Sequence, residues 1–365
     1  MSRAAWILAG LGVATAAVGT AAALVATASA LVTTTTRSNV RIVGSDGGSI
    51  RFPATRHTRI AGRFGLLASD GTLFGLIGDA LWERDGVIAR AWSPRSTRLP
   101  RAGEPARWTG ALHATPADLA HAASFTESVV DGTVWWQIEP RQPRTPMVSV
   151  HLHGLGATPA SVLRSVDAAL AAGMRAAVPD LRVRRSTLGV GESAAVTRWL
   201  ERQPAETPVV LVGWSMGAEI ARRLVAGPFG ERMRGVLLVG PVLHWPATVA
   251  HSARRSRVPG WWARAALLSL RAPGVSRLLG LPAPASPLPA AARGDFPAGS
   301  MAVHSPGDLV TPYAETVRAA RAGAFTLHGI AAAPHTLEWN VAPEVAAAAT
   351  AWFARLARAN QHRDR

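Results

Sequence analysis

The stretch PVVLVGWSMGAEIARRLVAG, Pro208 to Gly227, sets one serine between two glycines: Gly213-Trp214-Ser215-Met216-Gly217. Val209 to Gly213 is an uninterrupted apolar run and reads as a strand buried on both faces. The residues after Ser215 have helical spacing and end on Gly227. A serine at such a junction is either a turn residue or a nucleophile. The second reading has a physical basis, because a sharp strand-to-helix turn holds the serine in strained backbone geometry with its oxygen raised above the sheet. Side chains two residues to either side would collide with the neighbouring strand and helix, which suits Gly213 and Gly217. The helix starting at Met216 aims its first amides at the place where an oxyanion would form.

A nucleophilic hydroxyl needs a base and an acid that orients the base. Downstream of Ser215, His335 lies in AAAPHTLEWN, a loop after the last expected strand and before the last helix. His328 ends that strand and is the rival base; His304 lies inside a strand and reads as core. For the acid, SMAVHSPGDLVTP puts Asp308 in a tight turn between Gly307 and Pro312. Asp295 sits in a Pro-rich stretch with no strand behind it, and Asp180 serves only in a permuted order. VSVHLHGLG, Val148 to Gly156, supplies a further part. There the amide of Leu155, with that of Met216, is the candidate oxyanion hole, while the His153 side chain shapes the loop.

The surrounding sequence alternates strand and helix. Val134–Ile138, Met147–Leu152, Ala176–Pro179, Val209–Gly213, Gly235–Gly240, Ser300–His304 and Ala324–His328 read as strands. Ser161–Ala172, Gly191–Glu201, the segment to Ala226 and Glu344–Ala359 read as helices. Continuous apolar strands alternating with amphipathic helices predict a mostly parallel sheet covered on both faces, within an α/β domain over 129–360. An insertion at 245–297 interrupts it with WWARAALLSLR and a Pro-rich run, at the edge where a lid would lie. Trp214, Trp245, Trp261 and Trp262 are candidate substrate contacts. Residues 37–128 read as a small β-rich region, with turns at Asp70-Gly71, Gly78-Asp79 and Asp85-Gly86. Thr115 to Thr126 reads as a helix started by Thr115-Pro116.

Residues 1–36 stand apart. Ala4 to Val32 carries no charge, and about 20 apolar residues suffice to span a bilayer. The segment reads as a transmembrane anchor; the rivals are a signal peptide cleaved after Ala30 and a buried helix of a soluble domain. In the first two cases the catalytic part is expected outside the cytoplasm, membrane-anchored or secreted. The net charge is +16 and all 39 basic residues are arginine. They are dispersed, and without aromatic-basic interleaving or zinc-finger spacing nucleic-acid binding is not expected. The absence of cysteine excludes disulfides, thiolate catalysis and Cys-ligated metals.

HGLG after one strand, GWSMG after another, GD in SPGDLVTP and PHT in a late loop together resemble the α/β-hydrolase superfamily, over about Val134 to Ala359. The chain departs from that pattern at DLRVRRSTLGVG, from Asp180, where many relatives read D-x-R-G-H-G. The resemblance implies a Ser215–His335–Asp308 triad, a small-molecule acyl substrate, and neither cofactor nor metal. Serine at the elbow argues against chemistry that needs a carboxylate nucleophile there. Cleavage of an ester or thioester is the expected reaction. A peptidase or amidase, or a non-catalytic binding protein on the same fold, are the alternatives.

Overall fold

The computed structural model describes residues 19–33 and 38–363. Helix α1 spans residues 19–32, the second half of the uncharged N-terminal run. Its Ala28 and Val32 have no exposed surface, and Leu24, Val25 and Leu31 pack on the same apolar cluster. The C-terminal part of this half therefore packs on the protein, while residues 19–23 are exposed. Among the described residues no helix is long and apolar enough to cross a membrane. Residues 1–18 of the expected anchor or signal segment lie outside the described residues.

Seven antiparallel strands follow: β1 (Val40–Arg41), β2 (Gly44–Ser45), β3 (Ser49–Pro53), β4 (Phe64–Leu67), β5 (Leu73–Arg84), β6 (Val87–Pro94) and β7 (Pro105–Thr109). Their order is β1-β7-β4-β5-β6-β3-β2. β1 and β2 lie on one stretch of chain, so that stretch pairs with both ends of the sheet and closes it into a small barrel. Phe52, Phe64, Phe74, Trp92 and Trp108 fill it. Asp85 and Gly86 take φ of 50° and 72°, the geometry of a two-residue hairpin turn. Gly78-Asp79 is not a turn. It lies within β5 at a shift of register between Ile77 and Ala80, a bulge that bends the long strand. Arg90 is fully buried and donates from Nε to Gly78 O at 2.7 Å. Its other nitrogens donate to the carbonyls of Thr58, Ile60 and Gly62, tying that loop to the barrel.

The second sheet has eight strands: β8 (Ala122–Val130), β9 (Thr133–Pro140), β10 (Val148–Leu152), β11 (Arg175–Pro179), β12 (Val209–Trp214), β13 (Met233–Val239), β14 (Met301–His304) and β15 (Thr326–Gly329). Their order is β15-β14-β13-β12-β10-β11-β9-β8. β10 to β15 run parallel, while β9 and β8 are antiparallel additions at one end. The helix expected over Thr115–Thr126 reduces to a single turn at Pro116–Asp118. Residues 122–130 instead form β8, because Asp131 and Gly132 (φ 48° and 80°) make a hairpin turn into β9.

Side chains alternate across this sheet. Val209 and Leu211 of β12 join one apolar layer, while Val210, Val212 and Trp214 join the other. Helices α2 (Leu163–Ala171) and α10 (Pro343–Arg363) cover the second layer; α3 (Val190–Glu201) and α4 (Met216–Val225) cover the first. Between β13 and β14 the insertion folds as α5 (Trp245–Ala253), α6 (Gly260–Ser269) and α7 (Pro273–Leu278). α8 (Tyr313–Arg321) and the short α9 (Glu338–Val341) complete the chain. β10 has β11 on one side and β12 on the other, so the strand order reverses between them. The crevice at the carboxyl ends of such a pair is where ligands bind in open α/β sheets.

Candidate active site

Leu152 of β10 pairs with Gly213 of β12, so the loops that leave these strands emerge side by side. Ser215 sits at the turn with φ 54° and ψ −115°, far from ordinary strand or helix values. Both flanking glycines are required by contact. A Cβ on Gly213 would lie 2.6 Å from Gly217 O, and one on Gly217 would collide with the Leu152 carbonyl. The turn is anchored by Ser215 N–H donating to Val239 O at 3.0 Å.

Ser215 Oγ lies 2.9 Å from His335 Nε2, and His335 Nδ1 lies 2.7 Å from Asp308 Oδ2. The carboxylate accepts the Nδ1 proton, which leaves Nε2 free to accept the serine hydroxyl. Five donors hold Asp308. Val310 N and Thr311 N donate to Oδ1 at 2.7 and 3.0 Å. Thr311 Oγ1, His335 Nδ1 and His304 Nε2 donate to Oδ2, the last at 3.1 Å. Burial alone would raise the Asp308 pKa, but the adjoining His335 and the hydrogen bonds from His304, His335 and Thr311 outweigh it. The carboxyl is held far below its usual range. His304, expected to be core, is buried but touches the acid. Burial lowers its pKa, and its Nδ1 lies 2.7 Å from Thr316 Oγ1. The insertion also reaches the acid turn, where Ser252 Oγ of α5 donates to Val310 O at 2.8 Å.

Gly154 lies against the serine: a Cβ there would come within 2.9 Å of Ser215 Cβ. The Leu155 and Met216 amides thus start from adjacent positions beside Ser215. His153 is fully buried. Leu181 N donates to its Nε2 at 2.9 Å, so Nδ1 carries the proton and donates to Gly154 O at 3.0 Å. That pairing fixes the loop and leaves the ring without a free site.

The His335 loop is gripped from two sides. On one side Arg164 of α2 donates to Thr336 O at 3.3 Å and to Asn340 Oδ1, while its guanidinium stacks 4.3 Å over the Trp214 ring. Burial lowers its pKa to about 9, which leaves it charged at neutral pH. On the other side Asn340 Nδ2 donates to Arg63 O at 2.6 Å and Gly110 O at 3.1 Å, and Arg63 N donates to Asn340 O. Leu337 joins the barrel's own apolar core. Thr336 is held at φ 56°, an outlier for a β-branched residue.

The four tryptophans go to different places. Trp214 faces α2, with Nε1 donating to Ser165 Oγ, so it belongs to the core and not to a substrate surface. Trp261 is 68% exposed and points to solvent. Trp262 donates to Thr27 Oγ1 on α1. Trp245, whose Nε1 donates to Leu188 O, shares an apolar cluster with Met216 and Leu188 beside the serine. Ser215 itself is 9% exposed, in keeping with its place in the turn between β12 and α4.

His304, Asp308 and Glu338 are the described group with ligand atoms close enough to share a cation, within 4.8 Å of one another. Donors already occupy both Asp308 oxygens. The Glu338 carboxyl, fully buried and without a hydrogen-bond partner among the described residues, is pushed well above its usual pKa by burial. A neutral acid beside a saturated carboxylate is a poor cation site.

No protein-family profile matches the chain, and no curated protein is significantly similar to it. Solved structures do resemble it. An esterase of Pyrococcus furiosus is 15% identical, over 66% of this chain and 94% of its own, with a TM-score of 0.47. An esterase of Butyrivibrio proteoclasticus is 14% identical over 64% and 99%, TM-score 0.46. A membrane phospholipase A is 16% identical over 64% and 86%, TM-score 0.45. The strand order and the elbow of this chain themselves give it an α/β-hydrolase-like fold.

Proposed function

We propose that this chain is a serine hydrolase that cleaves a carboxylic ester or thioester through an acyl-enzyme. The observation that carries the reading is the continuous hydrogen-bonded line from Ser215 Oγ through His335 to Asp308, at a strained elbow on the carboxyl edge of the sheet. Ser215 attacks the carbonyl carbon while His335 Nε2 takes its proton, and Asp308 stabilises the imidazolium. The Leu155 and Met216 amides receive the oxyanion. His335 returns the proton to the leaving group, then activates water to release the acid.

The insertion follows β13 at the edge that carries Ser215, and we assign it the covering role, with Trp245, held on Leu188 O, against the acyl group. The experiment is hydrolysis of aryl esters of graded chain length beside aminoacyl amides, with Ser215→Ala as control. Ester turnover that Ser215→Ala abolishes supports the reading; preferential amide turnover would move the chain to the amidases. Equal efficiency on short and long acyl esters would remove the acyl-pocket role of Trp245. The expected extracytoplasmic location is tested separately, by cell fractionation with protease accessibility.

A further inference from the structure

α6 has two faces of opposite character. Ala263, Ala266 and Leu267, with Leu270 just past its end, are buried. The opposite stripe runs Trp261, Arg264, Leu268, Arg271, at steps of three, four and three residues, and all four are exposed. Trp261 keeps 68% and Leu268 54% of its surface in solvent, and Leu278 at the end of α7 keeps 70%. Isolated exposed apolar residues are ordinary, but a tryptophan and two leucines interleaved with arginines on one short segment are not.

Charge points the same way. From Trp245 to Gly294 the sequence carries seven arginines and neither aspartate nor glutamate. Arg254, Arg257, Arg264, Arg271 and Arg277 are exposed. A solvated segment normally mixes both signs; the exposed charges of this one are all cations, set among apolar side chains, and the nearest acid, Glu315 of α8, adjoins only Arg254 and Arg264.

The N-terminal run meets the same place. Trp262 Nε1 donates to Thr27 Oγ1 of α1 at 2.9 Å, and the Trp261 and Trp262 rings meet edge to face at 5.7 Å. The described end of the uncharged stretch Ala4–Val32 therefore lies beside the exposed stripe.

We propose that α6 and α7 form a peripheral docking face for an anionic lipid surface. Trp261, Leu268 and Leu278 enter the boundary between headgroups and acyl chains, and the arginines reach lipid phosphate with their aliphatic stems along it. A polyanion in solution would engage the arginines but leave the tryptophan and leucines in water, which is why lipid is the favoured partner. The face does not depend on hydrolysis, and its test reads binding alone.

The test is co-sedimentation of the full chain with vesicles of phosphatidylcholine, alone or mixed with phosphatidylglycerol, at low and high salt. We expect binding to the mixed vesicles that weakens with salt. The triple variant Arg264→Glu/Arg271→Glu/Arg277→Glu should bind them roughly tenfold or more weakly. Trp261→Ser should also weaken binding, and both variants should keep the wild-type melting temperature. The proposal is overturned if the wild type binds neither vesicle, or binds both equally. It is also overturned if the triple variant binds undiminished, which would assign the membrane to the N-terminal run. Binding of duplex DNA that Trp261→Ser leaves unchanged, with vesicles ignored, would assign the arginines to a polyanion instead.

Discussion

Ser215 and His335 meet at 2.9 Å, yet they are brought there by different kinds of structure. The serine is placed by its immediate neighbours. Five consecutive residues, a strand behind and a helix ahead leave the backbone one way to turn, and two glycines make that turn possible. The histidine is placed from far away. Its loop hangs from Arg164 on α2 and from the backbone of Arg63 and Gly110 in and beside the barrel, and all three attachments act through Thr336 and Asn340. One half of the site is a local steric device; the other is a long-range polar clasp. Through that clasp the barrel is tied to the loop that carries His335.

Substitutions on the two sides should therefore fail differently. The largest effect is expected for Asp308→Asn. It leaves the elbow intact and deprives His335 of its orienting charge, so kcat/KM on an aryl ester should fall on the order of 10⁴-fold. Gly217→Ala attacks the serine side. The added methyl meets the Leu152 carbonyl, and urea unfolding should show a loss of about 3 kcal/mol. Asn340→Ala attacks the clasp. It opens the loop toward the barrel, and since misplacement by about 1 Å costs on the order of 10²-fold, kcat should fall up to that far with the elbow unaltered. If Asn340→Ala retained full kcat, the barrel would have no part in positioning His335.

The smallest effect separates the sides by pH. The Glu338 carboxyl lies in the histidine half and is raised by burial, so it stays protonated when folded and ionises when the chain unfolds. The folded state then binds the extra proton. From about pH 4.3 upward, the unfolded value for glutamate, stability should fall as pH rises by about 1.4 kcal/mol per unit until the folded pKa is reached. Glu338→Gln should remove this slope in urea titrations at successive pH values. Asp308 contributes the opposite trend. Its pKa is depressed, so its contribution is present above pH ~3.9 and is lost as pH falls below that.

The same contrast decides what the sequence reveals. GWSMG reads as an elbow because its constraint is contained in five letters. The acid turn is nearly as compact, since Asp308 takes two of its donors from Val310 and Thr311. Arg164 and Asn340 carry no such mark: they are 176 residues apart, and neither sits in a recognisable pattern. Two misreadings have simple physical origins. The first half of β8, up to Thr126, falls in the stretch read as a helix because Thr115-Pro116 resembles a helix start, while Asp131-Gly132, a stronger hairpin signal, sets the strand instead. Trp214 was expected at the substrate; strand parity puts it on the face of Val210 and Val212, toward α2.

The most direct measurement is to label the full chain with a fluorophosphonate and locate the adduct by peptide mass spectrometry, wild type beside His335→Ala. We expect a single adduct on the peptide that carries Ser215, and its loss in His335→Ala. An unlabelled Ser215 in active protein, an adduct on another serine, or labelling of Ser215 that is indifferent to His335 would contradict it.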